Sequence, residues 1–166
     1  QKMAASQSLP KTSLPPPSSF HDIFKKLSEK DPVLCITISS GLSGTYHSAC
    51  RAKEQAGSDI TVFDSLAGSL GHGLQILKAA EMTESGFPLE QIIKELENYR
   101  SRMKILILLD TLDNIVKGGR LNRFQGGISK LLNIKVLLHN NQEGKVVMKA
   151  KVRGKNKFLS MVLQEI

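Results

Sequence analysis

From residue 33 to residue 109 the chain alternates short, nearly continuous apolar runs with longer stretches in which apolar residues recur every three or four positions. Val33 to Ile38, Ile60 to Phe63 and Ile105 to Leu109 are the runs. They are rich in β-branched residues and have the length of strands covered on both faces of a parallel sheet. Helical spacing fills the intervals at about 44–56, 69–85 and 89–103, so the order is βαβα. The last helix is the most sharply patterned. Pro88 stands at its first turn, Glu90 follows, and Leu89, Ile92, Ile93, Leu96, Tyr99 and Met103 form one stripe.

The flanks read differently. Residues 1–17 form an extended approach ending in Pro15, Pro16 and Pro17, which exclude helix and impose a polyproline-like backbone. Ser19 with Asp22 three residues on resembles a capping box, and Phe20, Ile23, Phe24 and Leu27 then predict a short helix to about Lys30. Beyond Asp110, short helices are expected at about 112–117 and 124–132, then an antiparallel hairpin from Ile134 to Val152 with its loop at Asn140 to Gly144. On its second strand, Val146, Met148, Ala150 and Val152 share one face, and Lys145, Val147, Lys149 and Lys151 the other. A further helix begins near Lys155 and is still running at Ile166.

The expected architecture is α/β: an extended segment over 1–17, a parallel-sheet βαβ unit over 18–110, and a second, smaller α/β unit with an antiparallel hairpin over 111–166. Because a domain rarely ends inside a helix, the second unit reads as cut short.

Composition narrows the function classes. Hydrophobic residues are 40% and charged residues 23%, values of a folded chain. No apolar run approaches the roughly 20 residues that cross a bilayer, and Gln1 to Leu9 lacks the apolar core of a signal peptide. A cytoplasmic setting is the default expectation. Cys35 and Cys50 have no CxxC partner or metal-ligand cluster, so both read as ordinary buried thiols, and no metal is expected. The net charge of +8 is uneven: residues 1–99 hold 9 Lys/Arg against 11 Asp/Glu, and residues 100–166 hold 14 against 4. Such a half suits an anionic partner, or is balanced by further chain. A nucleic-acid-binding module is disfavoured, with aromatics at 5%, no Trp and no recognition motif.

Three places carry candidate chemistry. Ser39-Ser40-Gly41-Leu42-Ser43-Gly44-Thr45 joins the first strand to the next helix, at the carboxyl edge where open α/β sheets bind ligands. Its glycines admit close approach, its hydroxyls are neutral donors, and the helix start offers unpaired N–H groups, a set that suits an anion. A plain helix cap with a tight turn has the same composition. The segment is no phosphate loop, lacking GxxxxGK[ST], and no nucleophile elbow, because Thr45 stands where the second glycine would be. Thr12-Ser13, ahead of Leu14-Pro15, is either a hydroxyl pair held over a pocket or a simple turn. Lys117-Gly118-Gly119-Arg120 sets Arg120 beside an anion or at a helix end, and Val152-Arg153-Gly154 raises the same choice. His21, His47, His72 and His139 show no metal spacing, and Asp64, Asp110 and Asp113 form no acid–base pair, although Asp64 beside Ser65 can orient a loop.

Taken in order, Lys11-Thr12-Ser13-Leu14-Pro15, Ser39 to Tyr46, Phe63-Asp64-Ser65, Lys117-Gly118-Gly119-Arg120 and Lys151-Val152-Arg153-Gly154 resemble the DegV family from about residue 8 to the end. The resemblance implies a two-domain α/β protein that encloses a long-chain fatty acid such as palmitate, with its tail in an apolar tunnel and its carboxylate on hydroxyls. It implies no cofactor and no catalysis by the chain itself. For some members it implies service as the acyl-presenting partner of a fatty acid kinase related to dihydroxyacetone kinases. Carried over by motif, Thr12 and Ser43, with Ser40 next, would hold the carboxylate; Ser39 and Gly44 would support them, and Arg120 would brace the site or face the kinase. Leu14 departs from the Thr-Ser-Gln-Pro pattern. The family's upstream strand with its Asp-Ser loop, and its downstream portion with a His-x-Gly-Pro-Gly-like motif, have no counterpart here, so the chain is expected to be incomplete at both ends. The competing reading from residues alone is a phosphoryl- or acyl-transfer enzyme using the Ser/Gly loop.

Overall fold

The proline run that closes the N-terminal approach also starts the first helix. In the structure, a computed structural model that describes residues 12–57, 59–109 and 134–165, Pro17 is the first residue of α1 (Pro17–Ser28), and Pro16 before it is extended at φ −69°, ψ 157°. The expectation that all three prolines bar a helix is corrected at Pro17. A first helical residue needs no N–H partner, so proline fits there, and it forces its predecessor to be extended. The capping box at Ser19 is not formed either: Pro16 is the cap, and the Ser19 N–H donates to Pro16 O at 3.1 Å.

The described residues divide into two compact units, one holding those of 14–105 with 142–145, the other those of 106–109, 134–141 and 146–165 with Thr12 and Ser13. In the first, β1 (Val33–Thr37) and β2 (Ile60–Asp64) pair in parallel, Val33 opposite Ile60 and Thr37 opposite Asp64. The helices are α1, α2 (Thr45–Ala56), α3 (Ser69–Glu84) and α4 (Leu89–Arg102). Alternate strand residues serve two cores. Val33 and Cys35 pack with Phe24, Ala49, Ala52 and Ile60, a cluster that α1 and α2 complete. Leu34 and Ile36 pack with Phe63, Ala79, Met82, Ile92 and Leu96, the cluster of α3 and α4. Both faces are therefore covered, which is why these strands read as unbroken apolar runs. Alanines at 49 and 52, both wholly buried, let α2 lie close to its neighbours.

Burial has a chemical consequence at Cys35. Desolvation, and secondarily Cys50, pushes its thiol from 9.0 up to about 11. The native state thus favours the neutral thiol, so the associated stability is fully present below pH 9 and is lost as pH rises through about 11. At pH 9, Cys35 in the native protein should react with iodoacetamide much more slowly than in urea-unfolded protein, as read by peptide mass spectrometry. Equal rates would contradict this.

In the second unit β3 (Leu106–Leu109), β4 (Ile134–Asn140) and β5 (Val146–Arg153) form an antiparallel sheet in the order β3-β4-β5. The run at Ile105 to Leu109 therefore does not extend the parallel sheet: Leu109 lies opposite Val136, and Leu106 opposite His139. The expected hairpin is present, and a register irregularity at Leu137/Leu138 leaves Lys149 without a counterpart in the ladder. Leu137 packs with Phe158 and Val162 of α5 (Lys155–Leu163), joined by Ala150 and Val152, while Lys149, Lys151 and Arg153 are exposed. Among the described residues no helix is long and apolar enough to cross a membrane.

Candidate functional site

Both parallel strands end in loops that are tied to each other through the backbone, and the hydroxyl-rich segment is one of them. Ser39 is wholly buried and all its polar groups are used internally. Its N–H donates to Ala67 O at 2.9 Å, its carbonyl accepts from the N–H groups of Leu42 and Ser43 at 3.0 and 3.1 Å, and its hydroxyl donates to Gly144 O at 2.7 Å while accepting from the Gly41 N–H at 3.1 Å. Ser40 is held through its backbone instead: its N–H donates to the Asp64 carboxylate at 3.1 and 3.3 Å, leaving the hydroxyl outside these bonds. Asp64 also accepts from the Leu66 N–H at 3.0 Å. One carboxylate thus fixes the loops after β1 and β2 together.

Ser43 and Thr45 are half-buried and bonded to each other. Their hydroxyls lie 2.8 Å apart, and the Thr45 N–H donates to Ser43 Oγ at 3.3 Å. Whichever hydroxyl donates, the other's proton is not used within the pair. Gly44 precedes the first residue of α2, and its carbonyl accepts from the Ser48 N–H at 2.9 Å. A side chain at 44 would press on Leu14 Cδ2 at 2.9 Å. Ser48 in turn donates its hydroxyl to Pro15 O at 2.7 Å, which seats the proline segment on α2.

Glycines at 41 and 144 make the site's closest approach. A Cβ on Gly41 would stand 2.9 Å from Glu143 O and from Gly144 C, and one on Gly144 only 2.2 Å from Ser39 Oγ and 2.8 Å from Leu66 Cα. Gly144 also has φ +69°, the left-handed region that favours glycine. The hairpin tip thereby forms one wall of the segment. Behind it, Arg100 donates to the Asp64 carbonyl and stacks 4.7 Å above the Phe63 ring. Gln75, wholly buried, donates to Ser65 O and Gly71 O at 3.0 Å each. A hydrogen bond with Cys50, and then burial, raises the Tyr46 phenol above its ordinary pKa.

Of the residues singled out by sequence, Ser39, Ser40, Ser43 and Gly44 thus share one loop. Thr12 is exposed and grouped with the antiparallel-sheet unit. Arg120 and the Lys117-Gly118-Gly119 stretch before it lie outside the described residues. Arg153 is exposed at the end of β5, and Gly154, at φ +92°, precedes α5. Sequence reasoning missed Gly144, Gln75 and Arg100. Only Gly144 carried a signal, as the last residue of a predicted hairpin loop.

The comparisons with known proteins bear on the family and the fold. A family model described as "Uncharacterised protein, DegV family" matches residues 1–166. A DegV domain-containing protein of Clostridium perfringens is 39% identical over 167 residues, covering 99% of this chain and 60% of the relative. A solved structure concerning fatty acid binding of a DegV family protein from Thermus thermophilus gives a TM-score of 0.85 at 35% identity, covering 99% of this chain and 59% of that one. A stearic acid-binding protein from Eubacterium ventriosum gives 0.79 at 29% identity, covering 93% and 54%. The chain spans about three fifths of the length of the curated relatives it matches.

Proposed function

The chain belongs to the DegV family, and from that membership we propose that the intact protein is a cytoplasmic carrier of a long-chain fatty acid such as palmitate. The Ser43–Thr45 hydroxyl pair at the carboxyl edge of the parallel sheet is the observation that supports the reading most directly. On it, Ser43, with Ser40 and Thr12, donates to the carboxylate, while Ser39 and Gly44 hold the loop in shape. The tail dominates the affinity. At about 0.8 kcal/mol per buried CH₂, a palmitoyl chain supplies roughly 11 kcal/mol before the losses of association, so neutral hydroxyls need only orient the head. The carrier is non-catalytic and presents the carboxylate to a fatty acid kinase related to dihydroxyacetone kinases. Arg120 braces the head group or faces that kinase, and the cation-rich second half meets an acidic surface.

Native mass spectrometry with lipid extraction tests the proposal. The intact protein should purify with fatty acid bound, and Ser43→Ala should weaken retention about tenfold, the worth of a hydrogen bond to a charged group. A protein that is always empty and ignores added palmitate would refute it. Turnover of an acyl phosphate by the protein alone, abolished in Ser43→Ala, would favour the transferase reading instead.

A further inference from the structure

The 39–45 loop offers hydroxyls and N–H groups but no cation. Asp64, bonded to the Ser40 N–H, adds a negative charge beside the loop. Arg100 is turned to the Asp64 carbonyl and the Phe63 ring. A carboxylate brought here meets the like charge of Asp64 unless another group offsets it.

The hairpin tip supplies one. Residues Gln142–Lys145 belong to the parallel-sheet unit, and the Lys145 stem lies on the loop, so that a Cβ on Gly41 would stand 2.9 Å from Lys145 Cγ. Its ammonium is 2.6 Å from Glu143 Oε2, with the two side chains 52% and 66% exposed. An ion pair so exposed is weak and exchangeable, and a lysine head on a flexible stem can swing to another anion while the stem stays in place. We propose that Lys145 is a specificity-determining residue that recognises the negative charge of the ligand head at the 39–45 loop, with Glu143 as the internal anion the ligand displaces. This deepens the fatty-acid reading and rests on it.

The test compares equilibrium binding of palmitate and of hexadecanol, the same tail with an uncharged head, to the intact protein and two variants. Lys145→Met keeps the stem and removes the charge. It should weaken palmitate about threefold, leave hexadecanol unchanged, and lose this selectivity in high salt, where exposed pairs are screened. Glu143→Gln should tighten palmitate about twofold with hexadecanol unchanged. Equal losses for both ligands in Lys145→Met would make the residue a packing element, and an unchanged palmitate affinity would remove it from recognition; either overturns the inference. Weaker palmitate binding in Glu143→Gln would overturn the displacement. Wild-type protein that retains neither ligand would refute the carrier reading itself.

Discussion

Gly144→Ala should unfold the intact protein roughly 10 °C below wild type and, on the proposed carrier reading, weaken its retention of fatty acid. Two costs combine. A non-glycine residue at φ +69° carries about 1–2 kcal/mol of backbone strain. The new Cβ, 2.2 Å from Ser39 Oγ and 2.8 Å from Leu66 Cα, also drives the Ser39 hydroxyl off its 2.7 Å bond to Gly144 O, and a buried hydroxyl without a partner costs about 1–3 kcal/mol. At about 2–4 °C per kcal/mol for a chain of this size class, the sum gives the stated fall. Gly86→Ala separates the causes, because Gly86 has φ +77° but open space around it, and should lower the midpoint by only a few degrees. Equal midpoints for the two variants in a thermal melt would show that the hairpin tip does not pack as described.

Leu96→Ala should remove about 2–5 kcal/mol, the usual cost of emptying a leucine site in a closed core. Leu96 is 0% exposed, enclosed with Phe63, Ala79, Met82 and Ile92. None of these belongs to the 39–45 loop, so the variant should keep its preference for palmitate over hexadecanol while its urea midpoint drops. A loss below about 1 kcal/mol would mean that α4 relaxes into the gap. A change in ligand preference without a change in stability would place Leu96 in the pocket.

The two variants also mark what sequence could and could not reveal. Leu96 was legible, because an amphipathic stripe with a 3.6-residue period states which face of a helix is buried. β1 and β2 were legible as unbroken apolar runs, and the hairpin as alternation around a turn. β3 was misplaced for a definite reason: Ile105 to Leu109 has the same composition as the parallel strands, and an apolar run carries no information about its pairing partner. Pro17 misled because the residue that breaks a helix interior is also suited to a helix start.

At the site, the loop was found from Ser and Gly placed after a strand, and Asp64 was suspected of orienting a loop, as it does with Ser40 and Leu66. The internal engagement of Ser39 was hidden. Its hydroxyl is taken up by a carbonyl that no local pattern associates with it, and Gln75 and Arg100 likewise act on main-chain carbonyls of Ser65 and Asp64. Contacts to backbone leave no mark on the identity of the partner.

The bond between Ser39 and Gly144 spans 105 residues of chain. During synthesis the hydroxyl loop therefore leaves the ribosome long before the piece that locks it, while the βαβ framework on which it sits is closed by nearer neighbours. Closing so long a loop carries an entropic cost that the local helices and the β1–β2 pairing do not face. The hairpin tip and the 39–45 loop should accordingly acquire their protection from amide hydrogen exchange after the framework, so that a nascent or partly folded chain has a sheet before its loop is locked.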